Sequence, residues 1–380
     1  MKQARQQRRW WRRAGVALSA WMVAVSGAGG PGLAAAAEPA ARLTVAGPQL
    51  LAPDGRPIWL HGFNWGRWGT ALPDDGKANI ERGANVVRIP FRWNFTGKRV
   101  DIRDTAAPGH INPEGLKHLD DQIRWATEAG LWVVLFAGSD QGAGDNKQSN
   151  YWTDAALKRE FMEAWAFVVQ RYKDTPRIAA YELLSEPHPK KPVTDAGLRS
   201  FYEELIANVR RHDTRTPVVI GANDHYDINQ LQGVYTRVDD KIIYAANFYL
   251  PTEYCKPWRR ADPKGAPNAY PGTYVDRRGT TRKLDKQALA EFMQPAVEFR
   301  ERNKVPVFID QVGCFGSVPG VLDYTRDVLD LLKANRLHYA YWTYRVANAG
   351  PNEHGLWYNP GDGWKLKTDL DKVLRASMTP

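Results

Sequence analysis

Glu186 is the carboxylate in this sequence that is best placed for chemistry. It follows the mainly apolar segment that begins at Ile178, and Pro187 comes directly after it. Apolar residues without helical spacing predict a strand buried on both faces, which the proline ends. At the C-terminal ends of parallel strands the loops open into a cleft, where a glutamate can transfer a proton. A single glutamate before a proline more often begins a surface loop. The residues at the ends of the other strands therefore decide whether Glu186 lies in a cleft.

The other predicted strands also end in polar or aromatic residues. In chain order these residues are Asn64, Trp65 and Trp68; Arg88 and Trp93; Ser139, Asp140 and Gln141; Ser185; Asn223, Asp224 and His225; Asn247 and Tyr249; Gln311; and Trp342 and Tyr344. Aromatic faces stack on the C–H faces of sugar rings, and side-chain amides bond their hydroxyls. The 15 tryptophans of the chain agree with this interpretation, although large proteins also bury tryptophan in their cores. The strand ends therefore predict a glycan-binding cleft.

Eight strands alternate with helices along the chain. The predicted strands are Ile58–Phe63, Asn85–Ile89, Leu131–Phe136, Ile178–Leu184, Val218–Ile220, Ile242–Phe248, Val307–Val312 and Tyr339–Tyr344. Apolar residues three and four apart predict helices over Glu114–Ala129, Asp154–Tyr172, Asp195–His212, Asp285–Arg302 and Val321–Asn335, with shorter ones near Lys77–Arg82, Ile228–Val234 and Lys367–Ala376. Eight β-then-α units predict an α/β fold, a closed (β/α)₈ TIM barrel. Residues 43–59 predict a small N-terminal β-hairpin, and the long insertion 251–283 is predicted to lie over the cleft.

Residues 1–37 have the pattern of an export signal peptide of Sec or Tat type. A basic start precedes a short, weakly apolar run and a group of small residues at Ala34–Ala37. A membrane anchor is the alternative, although the apolar run is short. We expect an exported protein that is periplasmic or secreted. Residues 38–380 are predicted to form one domain that has no internal repeat and no stable membrane span, and that is a monomer.

The net charge of +10 does not indicate nucleic-acid binding. Six of the positive charges lie in the signal segment, which contains no acidic residue, so only +4 remains for the rest of the chain. No basic helix or basic-aromatic stripe follows. The expected partner is therefore a poly- or oligosaccharide, not a nucleic acid.

Cysteine and histidine usage leaves one question open and predicts no cofactor. Cys255 and Cys314 each follow a predicted strand by a few residues, so they can form a disulfide or remain two buried thiols. The sequence shows no His/Cys/Asp cluster with metal-ligand spacing, since the histidines His110, His118, His188 and His354 are scattered. We therefore predict neither a metal nor another cofactor.

Several segments resemble glycoside hydrolase family 5, the cellulase and mannanase family of (β/α)₈ glycosidases. They are Leu60–Asn64, Asn85–Pro90, Tyr181–Pro187, Val305–Gly313 and Trp342, within a resemblance that covers about residues 43–376. The resemblance implies the barrel fold and a β-linked substrate of glucan or mannan type. It is specific because the segments occur together and in order.

The resemblance also implies roles for individual residues. Glu186 matches the acid/base, Arg88 the arginine that supports the nucleophile, Tyr249 the sixth-strand tyrosine, and Trp342 the platform beneath the cleaved sugar. The residues expected to bind substrate are Arg88, Asn64, Trp65, Ser185, Asn247 and Trp342.

The chain departs from the family pattern at four positions. Ser185 replaces the asparagine before the acid/base, Gly138 and Asn247 replace histidines, and Gln311 replaces the nucleophilic glutamate. Retaining glycosidases need two carboxylates, one of which forms a glycosyl ester. Glutamine cannot form that ester, and removing a covalent nucleophile typically costs several powers of ten in rate. Ordinary retaining hydrolysis is therefore not expected.

Three functions remain open from the sequence. The first is a glycosidase or transglycosidase of altered mechanism, with a second acid at Asp140, Asp224, Glu253 or Glu353, or with Gln311 orienting a substrate acetamido group. Asp310 is a poor candidate for that acid because strand alternation should turn it away from the side that Gln311 faces. The second is a catalytically inactive carbohydrate-binding protein, and the third a non-sugar function on the same barrel. The retained acid Glu186 favours the first.

Overall fold

A closed barrel of eight parallel strands forms the centre of the computed structural model, which describes residues 41–66, 70–93, 101–103, 110–138, 154–189, 193–260 and 268–379. The strands are His61–Asn64 (β1), Val86–Phe91 (β2), Trp132–Ala137 (β3), Ile178–Glu182 (β4), Val218–Gly221 (β5), Ile242–Phe248 (β6), Val307–Val312 (β7) and His338–Tyr341 (β8). The barrel closes because β8 pairs in parallel with both β7 and β1. The predicted fold class is confirmed, whereas the predicted signal segment lies outside the described residues.

The barrel strands are buried on both faces, as their nearly continuous apolar sequences predict. One set of residues packs inside the barrel, for example Val86, Ala180 and Phe308. The alternate set packs against the surrounding helices. β8 ends at Tyr341, three residues before the predicted end, so that Trp342 lies just beyond the strand end.

Helices surround the strands close to the predicted positions. They are Asp75–Ile80 (α1), Pro113–Glu128 (α2), Ala155–Tyr172 (α3), Asp195–Arg210 (α4), Lys286–Asn303 (α5), Val321–Ala334 (α6) and Thr368–Met378 (α7). Asp154 and Asp285 cap α3 and α5 by accepting hydrogen bonds from backbone amides of the first turn. Thr194 caps α4 by accepting a hydrogen bond from the backbone amide of Gly197. Among the described helices, none has the length and apolar character to cross a bilayer.

Shorter elements close both ends of the barrel. The N-terminal segment forms three antiparallel strands, Thr44–Ala46, Gln49–Leu51 and Pro57–Ile58, in place of the predicted two-stranded hairpin. The insertion after β6 contains an antiparallel pair, Gly272–Val275 with Thr281–Leu284. A disulfide joins Cys255 in this insertion to Cys314 just after β7, with the two Cα atoms 4.4 Å apart. The question left open by the sequence is thereby answered in favour of the bond.

Candidate functional site

A buried polar cluster around Arg88 forms the floor of the site. Arg88 on β2 donates from Nη1 to Oδ1 of Asn64 at 2.8 Å and from Nη2 to Oγ of Ser185 at 3.0 Å. Its guanidinium also binds the carboxylate of Glu182, and Nη2 lies 3.0 Å from Oδ2 of Asp310. All five residues, which we call the Arg88 cluster, are at most 2% exposed. Arg88, Asn64 and Ser185 are thus buried within this cluster, and their role in substrate binding stays a prediction.

The Arg88 cluster contains one cation and two acids. Burial raises the pKa of Asp310 well above its usual value, Arg88 opposes this shift, and the neighbouring Glu182 adds to it. The raised pKa favours the neutral form of Asp310, while Glu182 forms the ion pair with Arg88.

An irregularity in β7 brings two consecutive residues to the site. Asp310 faces the barrel interior, like Phe308 two residues earlier, and reaches Arg88 there. The pairing register with β6 shifts between Ile309 and Gln311, which is the signature of a β-bulge. Gln311 consequently also reaches the site, where its Oε1 accepts a hydrogen bond from the Tyr249 hydroxyl at 2.9 Å. The prediction that Asp310 turns away from the site was wrong, because strict alternation does not hold across the bulge.

Glu186 lies in the cleft, four residues after the end of β4. It is half-buried and has a left-handed backbone with φ of 51°, which is uncommon for a residue with a side chain. Asn247 on β6 donates from Nδ2 to Oε1 of Glu186 at 2.6 Å. Glu186, Asn247 and Tyr249 line one open cavity of about 600 Å³. Since Tyr249 also bonds Gln311, the acid and the substituted nucleophile position belong to the same cleft.

Tyr249 holds Gln311 in a fixed orientation. Tyr249 is 8% exposed, and burial raises the pKa of its hydroxyl well above the usual value, to which the charge of Glu186 adds. The hydroxyl therefore stays protonated and acts as a donor to Oε1 of Gln311. Gln311 can then offer a ligand only its amide nitrogen, which is a hydrogen-bond donor without nucleophilic character.

The two tryptophans predicted to bind sugar have different environments. Trp65 is 2% exposed, packs in the core, and donates its indole N–H to Asn79 of α1 at 3.3 Å. This placement does not support a contact with substrate, because a core position at the end of β1 covers the ring. Trp342 is half-buried at the end of β8, and its ring lies so close to Gly66 that a Cβ there would come within 2.5 Å of it. Trp342 thus remains a candidate platform, whereas Trp68 lies outside the described residues.

The four candidates for the second acid have different surroundings in the structure. Asp224 is exposed and lines the cleft with Glu186. Glu253 is 6% exposed and pairs with Nε of Arg277 at 2.9 Å. Glu353 lies beside Lys367, which borders a different cavity. Asp140 is outside the described residues, as are Ser139 and Gln141, so Asp224 is the described candidate that faces the cleft.

The structure also assembles a group that the sequence analysis missed. His188, after β4, donates from Nδ1 to Oδ1 of Asp224, after β5, at 2.9 Å. The ring of His225 stacks on that of His188 with centroids 4.2 Å apart, and burial lowers the pKa of His225. All three line the cleft beside Glu186. The description of His188 as a scattered histidine was wrong; the signal that could have found the group is that both histidines follow neighbouring strands.

The barrel fold is typical of glycosidases, and its cleft contains Glu186 after β4, with Gln311 at the end of β7 connected to the cleft through Tyr249. The sequence profile described as Cellulase (glycosyl hydrolase family 5) matches residues 51–348. The chain belongs to this family.

Known proteins similar to this chain include several endoglucanases. Endoglucanase C of Acetivibrio thermocellus is 25% identical over 287 residues, which cover 70% of this chain and 81% of that protein. The endoglucanase Cel5A of Thermotoga maritima has a similar structure, with a TM-score of 0.64 and 21% identity over 83% of this chain and 97% of that one. The cellulose synthase subunit Z of Clostridioides difficile also has a TM-score of 0.64, at 17% identity over 83% of this chain and 99% of its own. These structural matches establish the shared barrel fold.

Proposed function

We propose that this protein is an exported glycan-active enzyme that acts on a β-linked glucan or mannan, with Glu186 as the proton donor and without a covalent intermediate on residue 311. The observation that carries the proposal is the shared cleft, in which Asn247 holds the Glu186 carboxyl while Tyr249 holds the Gln311 amide. Similarity to endoglucanases supports a β-glucan as the first substrate to test.

The proposed reaction uses the two walls of the cleft differently. Glu186 protonates the leaving glycosidic oxygen, which general-acid catalysis typically accelerates by about 10²–10⁴. Gln311 contributes a hydrogen bond from its amide nitrogen and forms no ester. A water molecule, activated by a second carboxylate that acts as the base, then completes hydrolysis with inversion of configuration. Glu186 and this base must lie roughly 6.5–9.5 Å apart across the sugar. Asp224 lines the cleft and is therefore the base to test first.

A specific observation also favours a second function, glycan binding without turnover. The position that normally supplies the nucleophile is occupied by a neutral amide whose oxygen is engaged by Tyr249. Such a site can hold sugar rings by stacking and hydrogen bonding without cleaving them. The retained Glu186 argues against this function, since a binding-only cleft has no need of a proton donor.

Substrate turnover distinguishes the two functions. The purified chain is incubated with β-glucans, mannans and chitin-like oligosaccharides, and the anomers of the products are followed by NMR. We expect cleavage of a glucan or mannan with inversion, reduced about 10²–10⁴-fold by Glu186→Gln. Binding without any product would refute the enzyme and support the binding protein. Cleavage confined to N-acetylated substrates would instead indicate that Gln311 orients the substrate's own acetamido group.

Restoring the second carboxylate tests the integrity of the cleft. In Gln311→Glu the new carboxylate meets the Tyr249 hydroxyl, which already bonds residue 311. We expect retaining hydrolysis to rise by at least tenfold over the parent chain, because a nucleophile is then present opposite Glu186. The double variant Gln311→Glu with Glu186→Gln is the matched control and should lose the gain. No gain in the single variant would mean that the loss extends to Gly138, Ser185 and Asn247.

Export is part of the same proposal. The basic start and short apolar run of residues 1–37 support it. Expression of the full chain in a bacterial host, fractionation and N-terminal sequencing should find mature protein outside the cytoplasm that begins near residue 38. A full-length protein retained in the membrane fraction would support an anchor instead.

A further inference from the structure

We propose that His188, Asp224 and His225, which we call the rim triad, bind a divalent transition-metal ion at the edge of the cleft. This site is distinct from the Arg88 cluster. It shares Asp224 with the proposed hydrolysis, and an ion bound there would occupy the carboxylate that is otherwise the candidate base. The expected ion is one that accepts both imidazole and carboxylate ligands, as Zn²⁺ does, and not Mg²⁺, which prefers oxygen ligands alone.

The three ligand atoms lie close enough together for side-chain rotation to bring them to one ion. In a tetrahedral zinc site, ligand atoms about 2.0–2.1 Å from the ion are roughly 3.3 Å apart. The distance from His188 Nδ1 to Asp224 Oδ1 is 2.9 Å. One atom from each of the three residues lies within 4.8 Å of the others, so the longest separation must shorten by about 1.5 Å at most. Three protein ligands would leave the remaining coordination positions open toward the cleft, as in catalytic zinc sites.

The backbone holds the two loops in this arrangement. Three consecutive residues, Asp224, His225 and Tyr226, have positive φ angles of 52°, 60° and 63°. Such a conformation persists only where surrounding contacts enforce it. The N–H of His225 donates to the carbonyl of Pro187 at 3.2 Å, which ties the β5 loop to the loop that carries His188. Tyr226 anchors the segment below by donating to Oε1 of Glu182 at 3.1 Å.

The triad is connected to the acid through one amide. Asn247 donates from Nδ2 both to Glu186 and, at 3.0 Å, to the backbone carbonyl of His225. A metal bound by His225 would therefore fix the loop that shares a donor with Glu186. The imidazole of His225 stacks on that of His188 with centroids 4.2 Å apart, so one of the two rings must rotate before both can bind the same ion.

Calorimetric titration with Zn²⁺ tests the proposal. The untagged chain is treated with EDTA, dialysed, and titrated with Zn²⁺ and, separately, with Mg²⁺. We expect one equivalent of Zn²⁺ to bind, weakened at least tenfold by His188→Ala, while Mg²⁺ does not compete. His110→Ala, which removes an exposed histidine that does not line the cleft, should bind as the parent does. Absence of Zn²⁺ binding, or equal affinity in His188→Ala and the parent, would overturn the proposal.

A second measurement separates metal binding from folding. Zn²⁺ should raise the thermal unfolding temperature of the parent and of His110→Ala, but not of His188→Ala or Asp224→Asn, because an ion that binds only the native state stabilises it. The visible absorption of bound Co²⁺ should likewise appear in the first pair and be absent in the second. Asp224 is exposed, so Asp224→Asn should fold normally even if His188→Ala does not. Equal Zn²⁺ stabilisation in all four proteins would refute the rim triad as the site.

Discussion

The floor and the rim of the cleft use polar residues in opposite ways. In the Arg88 cluster all five residues are at most 2% exposed, and one arginine contacts the other four. In the rim triad His188 is half-buried, while Asp224 and His225 are exposed. A buried charge that loses its partner costs several kcal/mol, whereas an exposed pair contributes little. The floor should therefore govern stability and the rim should govern ligand binding.

Of the changes considered, removal of Arg88 should lower the stability of the protein the most. Arg88→Met leaves Glu182 and Asp310 buried without their cation, and we expect the free energy of unfolding to fall by about 3–5 kcal/mol. Urea denaturation followed by circular dichroism measures this change. Arg124→Met is the matched control, since Arg124 forms an exposed pair with Asp121 and should change stability by at most about 1 kcal/mol. Equal effects of the two substitutions would contradict the assignment of stability to the floor.

The insertion beside the rim should depend on its covalent link. The disulfide between Cys255 and Cys314 spans 59 residues of sequence, and closing a loop of that size stabilises a fold by about 2–4 kcal/mol. The double variant Cys255→Ser with Cys314→Ser should lose that amount in the same denaturation experiment. A reducing agent should destabilise the parent and leave the variant unchanged; insensitivity of the parent would argue that the bond is absent.

The raised pKa of Asp310 should make the stability of the protein depend on pH. Its pKa is raised in the folded protein, so above the ordinary carboxyl pKa the unfolded chain loses a proton that the folded chain retains. Stability must then fall as the pH rises toward the raised pKa, by at most about 1.4 kcal/mol per pH unit. Asp310→Asn should remove this slope between about pH 5 and 8, whereas the exposed control Asp240→Asn should keep it. If the stability of the parent changed with pH in the same way as that of Asp310→Asn, the raised pKa of Asp310 would be disproved.

Changes at the rim should have the smallest effect on stability. Without metal, His188→Ala should alter the free energy of unfolding by no more than about 0.5 kcal/mol, as is usual for exposed or half-exposed positions. Denaturation of the EDTA-treated protein measures this value. A loss of several kcal/mol would show that the rim triad supports the fold, and the contrast between floor and rim would then fail.

The sequence predicted the barrel more fully than it predicted the site. The apolar strands, and the helices with apolar residues three and four apart, are local signals. They placed Glu186 and Gln311 at strand ends that the structure connects through Tyr249. The position of Asp310 depends on a bulge, which the apolar pattern of β7 does not reveal. The rim triad depends on backbone angles at Asp224 and His225 and on the approach of two loops distant in sequence. Trp65 was misplaced because a ring at a strand end can turn into the core as readily as into the cleft.

The bulge in β7 gives two adjacent residues access to two levels of the molecule. Asp310 reaches down to a guanidinium in the protein interior, while its neighbour reaches up to a tyrosine that borders solvent. Exchanging the two residue types would leave the composition and net charge of the chain unchanged, yet it would move a carboxylate from the interior to the surface where substrates arrive. A barrel built in this way can gain or lose a reactive acid through changes at two neighbouring codons, without any rearrangement of its strands.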